Sequence, residues 1–233
     1  MNSFAAAESP EHYLPLTRSL ENLYLPLSMI NLGRGHPPSG LAKRAIRDAA
    51  AALFAEKGFT ATSTREICEG AGVTKPVLYY HFGSKEELYE TLVQEAFNEY
   101  QREVRRASRR GRTTREKLIE TLRGMLAFAR RHRNEYRLAV RMVVAPERES
   151  PAIDFIEMSR ADERLLTEIL REGVRKGEVK GKPQQIASAI AGVAFSCVMG
   201  FLLTGRPALN RKLARDTINL LMGGCSRRIP IGK

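Results

Sequence analysis

The 233-residue chain is poor in the residue types that build most catalytic and metal sites. It has no tryptophan, four histidines and three cysteines, Cys68, Cys197 and Cys225. The cysteines lie far apart and no C-x-x-C spacing occurs, so neither a zinc site nor a disulfide framework is indicated. Cysteines without a disulfide pattern are typical of a reducing compartment. We therefore expect a cytoplasmic protein with no metal and no cofactor.

Catalytic motifs are also absent from the sequence. It contains no G-x-S-x-G, no P-loop, no H-E-x-x-H and no dinucleotide-binding fingerprint. Two of the four histidines, His12 and His36, lie in the N-terminal segment. His81 stands between Tyr80 and Phe82 with no carboxylate beside it, which favours a phosphate or base contact over a general base. We therefore expect a protein that is not an enzyme.

Acidic residues are too few to balance the basic ones. The net charge is +12 and the isoelectric point is near 10.0, which suggests a polyanionic partner. Residues 101–133 hold twelve basic and three acidic residues, including the run R-E-V-R-R-A-S-R-R-G-R at 102–112. A solvated surface is the simplest interpretation of this run. Extra phosphate contacts, or an anchor for an anionic ligand, remain alternatives.

Two segments need separate interpretation because of their composition. Residues 1–40 hold five of the eleven prolines and no charged region preceding an apolar run, so we expect a disordered tail and not a secretory signal. A natural start at Met29 is an alternative. Residues 186–204 carry no charge and are long enough to span a membrane, but alanine, glycine and serine are frequent. We expect a buried helix there and no membrane partner.

The densest helix signals lie between Ser63 and Lys85. Ser63 with Glu66 predicts a capping box at the start of one helix. Thr74 is placed to cap a second helix that has Pro76 in its first turn, and Gly83 is placed to end it.

A third helix follows at once, with Ser84 as its cap and Glu87 completing another predicted capping box. Two short helices joined by a tight turn are typical of the motif that places a helix in the major groove of DNA. The second helix offers donors and flat rings suited to phosphates and base edges, from Lys75, Tyr79, Tyr80 and His81.

The segment A-x-x-L-F-A-E-K-G-F-x-A-T-S-T-R-E-I-C-E-G-A-G-V-T-K-P-V-L-Y-Y-H-F-G-S-K-E-E-L resembles the DNA-binding domain of the tetracycline-repressor (TetR) family of bacterial regulators. The resemblance covers about Leu41 to Phe97. It implies an all-α homodimer, in most members a repressor released from DNA by a small molecule. Carried over by position, it implies DNA contacts from Thr64, Arg65, Lys75, Pro76, Val77, Tyr79, Tyr80, His81 and Lys85.

Apolar periodicity predicts helices throughout, about nine in all, with no convincing strand. The expected bounds are 41–57 for the first helix, 85 to about 106 for the fourth, then 114–132, 134–145, 151 to about 177, 186–204 and 210–222. The expected organisation is a tail over 1–40, a DNA-binding domain over 41–100, a ligand-binding and dimerisation domain over 101–225, and a tail over 226–233.

In the resembled family the last two long helices form a four-helix dimer interface. This implies interface residues at Ile190, Ala194, Cys197, Phe201, Leu213 and Leu220. Flexible and aromatic residues of the second domain predict a ligand pocket lined by Met125, Phe128, Tyr136, Met142, Phe155, Met158, Phe195 and Met199.

Arginines of the same domain suggest the charge of the ligand. Arg102, Arg105, Arg106, Arg130 and Arg131 have no comparable acidic cluster nearby in sequence. We therefore expect an apolar effector that is neutral or anionic. The sequence thus predicts a repressor that binds a palindromic operator in double-stranded DNA as a homodimer. A DNA-binding regulator controlled by a protein partner, or by no ligand, is the alternative.

Overall fold

The computed structural model describes residues 39–144, 146–151 and 155–223, and side chains for 40–142, 146–151 and 160–223. The predicted tail over 226–233 lies outside these residues, as does the tail over 1–40 except for its last two residues. Over the described ranges the chain forms nine α-helices and no strand, so the all-α prediction is confirmed. The helices are α1 Ser39–Lys57, α2 Thr64–Ala71, α3 Lys75–Phe82, α4 Lys85–Ser108, α5 Thr114–Arg131, α6 Arg133–Val144, α7 Phe155–Arg175, α8 Pro183–Thr204 and α9 Arg211–Gly223.

The start and end of α2 follow from local sequence as predicted. Ser63 accepts a hydrogen bond from the Glu66 N–H, and the Glu66 side chain accepts one from the Ser63 N–H, which completes the capping box. Gly72 ends the helix with φ 64° and ψ 33°, a left-handed conformation that glycine adopts without steric cost.

Two other predicted caps differ in detail. Thr74 precedes α3 but its side chain makes no capping hydrogen bond, so Pro76 in the first turn is the stronger start signal there. Ser84 accepts from the Glu87 N–H, but no reciprocal bond from Glu87 completes a box. The tight turn at Gly83 (φ 69°) joins α3 directly to α4.

The bounds of α7 differ most from the prediction. Pro151 was expected as its first residue, whereas the structure places Pro151 outside the helix and begins α7 at Phe155. A proline can open a helix but does not require one, since its fixed φ also suits extended chain. The remaining helices differ from their predicted bounds by three residues or fewer.

Two hydrophobic cores lie along the chain. The smaller one, which we call the reader core, is built by α1 to α3 and the first half of α4, around Ile46, Phe54, Ile67, Leu78 and Leu88. The larger core is built by α5, α7, α8 and α9 and includes Val104 near the end of α4. Helix α4 is therefore part of both cores.

Helix α6 also reaches the reader core. Leu138 is buried in that core and Met142 packs against it, whereas Val140 belongs to the larger core. Helices α4 and α6 therefore both contribute side chains to the two cores.

Helix α8 is long and apolar enough, by length and composition alone, to cross a membrane. In the structure it packs instead against α7, α5 and α9. Only one stripe of the helix is buried within the chain, consisting of Ala187, Ile190, Ala194, Val198 and Leu202.

Candidate DNA-binding and ligand sites

Helix α3 presents its polar and aromatic side chains to solvent. Leu78 and Phe82 are buried in the reader core and fix the helix against α1 and α4. Tyr80 is 81% exposed and Tyr79 is 45% exposed, so neither tyrosine is a core residue. Both rings are therefore available to a partner outside the described chain.

The other predicted DNA contacts of α3 lie around the two tyrosines. Lys75 and Pro76 are exposed, while His81 and Val77 are half-buried. The ring of His81 meets that of Tyr80 edge to face, with centroids 5.1 Å apart. Because Val77 also packs against the reader core, only part of its side chain remains available for a thymine methyl group.

The start of α2 offers a second polar surface. Thr64 is half-buried, and the Arg65 side chain is 80% exposed. Arg65 Nε lies 2.8 Å from Glu69 Oε1, one turn further along the helix. Such an exposed pair contributes little to stability, so Arg65 can exchange Glu69 for a phosphate at small cost.

Lys85 differs from the simple prediction of a phosphate contact. Its Nζ donates to the carbonyl oxygens of Phe59 (3.0 Å) and Thr62 (3.1 Å) and lies 4.1 Å from the centre of the Phe59 ring. In this arrangement the ammonium joins the start of α4 to the α1–α2 connection. A contact between Lys85 and DNA remains a prediction.

A cavity of about 420 Å³ lies between α4, α5, α6, α7 and α8. Four residues predicted to line the ligand pocket do line it, namely Met125, Phe128, Tyr136 and Phe195. Two predicted residues do not. Met142 packs against the reader core, and Met199 packs against the larger core. The side chains of Phe155 and Met158 lie outside the described residues.

Helix α4 supplies a large share of the lining. Leu92, Val93, Ala96, Phe97 and Tyr100 all face the cavity, and none of them was among the predicted lining residues. Their spacing of three or four residues was the available signal, because it marks one apolar face of a helix. Helix α4, which directly follows α3, therefore also forms a wall of the cavity.

The polar part of the lining is acidic. Asp162 accepts hydrogen bonds from Tyr100 Oη (2.5 Å) and Gln101 Nε2 (3.3 Å), and Glu135 lies nearby in the same lining. Burial raises the pKa of Asp162 to about 6, against the opposing effect of the hydrogen bonds from Tyr100 and Gln101. Burial also raises the pKa values of Tyr100 and Tyr136 well above the usual value of a phenol. Both hydroxyl groups are therefore protonated and can donate a hydrogen bond.

The five arginines behind the predicted anionic effector are elsewhere. All five are exposed, and no basic side chain lines the cavity among the residues described there. Arg131 pairs with Glu103, and Arg130 lies beside a different concavity. None of the five therefore lines the cavity, although the charge of Arg105 acts on Asp162 and opposes the rise in its pKa. An anionic effector therefore stays a prediction, with no basic residue in the described cavity lining to support it.

A carboxylate links α6 to the reader core. Glu147 accepts hydrogen bonds from the N–H groups of Thr60 (2.7 Å) and Phe59 (3.2 Å). Arg141 Nε donates to Glu147 at 3.1 Å, and Arg141 Nη2 donates to the carbonyl oxygen of Lys57. We call this group the Glu147 clasp. The clasp ties α6 and the following loop to the α1–α2 connection. No sequence motif predicts this contact.

The family profile described as "Bacterial regulatory proteins, tetR family" matches residues 46–92, which run from the middle of α1 to the first part of α4. The chain belongs to the tetR family. Members of this family are DNA-binding transcriptional regulators, so the protein is a regulator and not an enzyme.

Individual TetR-family proteins resemble the chain over a longer range. The transcriptional activator FasR of Mycolicibacterium smegmatis is 26% identical over 178 residues, 76% of this chain and 80% of that protein. The transcriptional repressor KstR2 of Rhodococcus jostii is 31% identical over 139 residues, 58% of this chain and 66% of that protein. FadR of Bacillus subtilis, solved with stearoyl-CoA, aligns with a TM-score of 0.62 at 22% identity, covering 78% of this chain and 99% of that one. This last likeness supports the shared fold.

The predicted dimer interface of this TetR-family chain needs correction. Ile190 is completely buried within the chain and so has no surface to offer a second copy, and Ala194 is only 8% exposed. A helix without charged residues gives no contrast between its faces, which is why the sequence did not show which stripe turns inward. Leu220 is 59% exposed, and Cys197, Phe201 and Leu213 are partly exposed.

A different stripe of α8 is left apolar and open. Leu203 is 68% exposed, and Ala189 and Ser196 are exposed on the same face, seven residues apart along the helix. Leu220 of α9 adds a further exposed apolar side chain.

Proposed function

We propose that the protein is a cytoplasmic repressor that binds a pseudo-palindromic operator as a homodimer and is released by a small apolar effector. The observation that carries this proposal is the double role of α4. Its first half, with Leu88, belongs to the reader core, and its next turns, with Ala96 and Phe97, line the cavity. A ligand that shifts α4 therefore shifts the DNA-binding motif.

The DNA surface that we propose is the exposed side of α3 with the start of α2. Tyr79 and Tyr80 provide hydroxyls for phosphates or base edges, and Lys75 and Arg65 provide positive charge. In a dimer, two such helices suit half-sites about 34–36 Å apart.

The homodimer that we propose uses the open face of α8 and α9. Leu203 and Leu220 expose aliphatic surface that a second copy would bury. The absence of charge on α8 lets two copies approach closely along Ala189 and Ser196.

The effector that we propose is mostly apolar and uncharged, with a hydroxyl or other donor at one end. The cavity volume of about 420 Å³ suits a ligand of drug or short acyl-chain size. Asp162 and Glu135 would repel a carboxylate, whereas Asp162 can accept a hydrogen bond from a donor. FadR of Bacillus subtilis was solved with stearoyl-CoA, so a protein of this fold can hold a ligand with a long apolar chain.

Release from DNA requires the effector to prefer the conformation that does not bind DNA. A tenfold loss of operator affinity needs a preference of about 1.4 kcal/mol. Helix α4 and the Glu147 clasp are the two connections through which the cavity acts on the reader core.

Ala191→Phe tests the cavity without touching α4 or α3. Ala191 lines the cavity from α8, so a phenyl ring there should occupy the space of the ligand. Ala208→Phe, at an exposed position in the α8–α9 connection, is the matched control. Calorimetry and operator anisotropy would use neutral, anionic and cationic lipophiles with the same apolar chain.

Neutral lipophiles should bind the control protein and release its operator, and Ala191→Phe should lose both effects while still binding DNA. Equal binding by the two variants would place the effector elsewhere. If no lipophile releases the operator, control by a protein partner becomes the better explanation. Reporter expression should rise when the gene is deleted, and a fall would make the protein an activator like FasR.

A further inference from the structure

A second concavity, of about 400 Å³, lies where the loop after α4 and one face of α5 meet the start of α9. Its lining consists of Arg110, Glu120, Arg123, Ala127, Arg130, Leu209, Asn210 and Arg211. We call it the arginine groove. It holds four guanidinium groups and one carboxylate, and it shares no lining residue with the effector cavity.

Glu120 fixes two of the four guanidinium groups. It is 9% exposed, and its Oε2 accepts from Arg123 Nε at 2.8 Å while its Oε1 accepts from Arg211 Nη2 at 3.0 Å. A guanidinium carries five N–H donors, so each of these arginines keeps donors for another acceptor. The buried carboxylate thus orients two guanidinium groups at the groove and leaves most of their N–H donors available.

The other two arginines are not neutralised. The guanidinium groups of Arg110 and Arg130 form no hydrogen bond or ion pair with any residue that the structure describes. One carboxylate therefore faces four positive charges, which leaves a net charge of three in one concavity. Like charges held this close raise the affinity of the groove for an anion.

The start of α9 adds to the positive field. Asn210 Oδ1 accepts from the Leu213 N–H, and the first N–H groups of a helix have no acceptor within the helix itself. The positive end of the α9 dipole therefore faces the same groove as the arginines.

We propose that the arginine groove binds a small multivalent oxyanion, a phosphate or a phosphorylated metabolite. Planar guanidinium forks match the spacing of phosphate oxygens and bind them in pairs. This assignment gives a role to Arg110, a member of the basic run at 102–112 whose function the sequence left open. It depends on the groove alone and not on the effector cavity.

Operator DNA is a poor occupant of this groove because of distance. Arg110 follows the last turn of α4, whereas α3 precedes the first turn. A helix of 24 residues is about 36 Å long, so the groove lies far from the recognition helix. A small anion that diffuses freely does not have this constraint.

The test compares two double variants of the full-length protein by calorimetry. Arg110→Ala with Arg130→Ala removes the unpaired charges of the groove and leaves the Glu120 pairs intact. Arg102→Ala with Arg106→Ala removes the same charge from exposed positions of α4 outside the groove. The probes are inorganic phosphate, pyrophosphate and chloride at equal ionic strength.

Pyrophosphate should bind the wild type and the α4 control more tightly than chloride binds them. The groove variant should bind pyrophosphate at least tenfold more weakly than these two proteins do. Arg130→Lys, which keeps the charge but loses the fork, should fall between wild type and the groove variant. Equal pyrophosphate affinity in both double variants would overturn the proposal, and so would binding no tighter than that of chloride. The groove variant could also lose as much affinity for non-specific DNA as for pyrophosphate. That result would overturn the proposal and indicate that the groove binds nucleic acid.

Discussion

Glu147→Ala removes the carboxylate that holds the loop after α6 against the α1–α2 connection. The wild-type side chain accepts from the Thr60 N–H at 2.7 Å, the Phe59 N–H at 3.2 Å and Arg141 Nε at 3.1 Å. Burial opposes the charged form, but the hydrogen bonds from Thr60, Arg141 and Phe59 outweigh it and hold the pKa of Glu147 below its usual value.

The cost of losing the clasp follows from these bonds. A hydrogen bond to a charged group contributes about 1.5–3 kcal/mol, and bonds that share one acceptor are not additive. The Glu147 side chain is 21% exposed, so water replaces part of what is lost. We expect a loss of about 2 kcal/mol, which lowers Tm by about 4–8 °C in a chain of this size.

Thermal unfolding at pH 7 measures this loss directly. Glu149→Ala is the control, because Glu149 is exposed in the same loop. A depressed carboxyl pKa contributes stability above the unfolded value of about 4.3, and that contribution is lost as the pH falls through the folded pKa. The difference in Tm between the two variants should therefore shrink as the pH falls below about 4.

Operator affinity distinguishes a mere loss of stability from a loss of coupling. If the clasp transmits ligand binding, Glu147→Ala should bind DNA at 20 °C yet show a smaller change of operator affinity with effector than Glu149→Ala does. Equal Tm values for the two variants would refute the energetic reasoning. Equal effector responses would show that α4 alone carries the coupling.

Three shorter predictions concern the reader, the dimer and the cavity. Tyr80→Ala should weaken operator binding by roughly tenfold in anisotropy titrations with an unchanged Tm, because the ring is 81% exposed and packs on no core. Ser196→Arg should give monomers in sedimentation, with Gln184→Arg in the first turn of α8 as the control; a dimeric Ser196→Arg protein would move the interface elsewhere. Asp162→Asn should gain stability relative to wild type as the pH rises from about 4 to about 6, by up to roughly 3 kcal/mol, and gain no more above pH 7, because the raised pKa of Asp162 makes its ionisation costly in the folded state. A stability difference between the Asp162→Asn and wild-type proteins that does not change across this pH range would contradict that interpretation.

The DNA-binding motif was the part of the structure most open to prediction. Capping at Ser63, the proline in α3 and the left-handed turn at Gly72 are local signals, since each acts within a few residues of chain. Exposure of Tyr80 follows from the same local geometry, because Leu78 and Phe82 take the inward face of so short a helix.

The cavity and the interface depend on neighbours that are distant in sequence. Periodicity shows that α4 has an apolar face, but not that Ala96 and Phe97 meet α8 across an open space. The arginines that suggested an anionic ligand do not line the cavity, whereas Asp162 does, since the position of a charge in the sequence does not fix its direction in space.

Helix α8 shows the limit of sequence most clearly. Its composition determined that it is a helix needing burial on more than one face. With no charged residue to mark the outer face, only packing against α7 and α9 decided that Ile190 and Ala194 turn inward and Leu203 outward. Local chemistry determined the helices and their ends, and contacts between helices decided which side chains share a site.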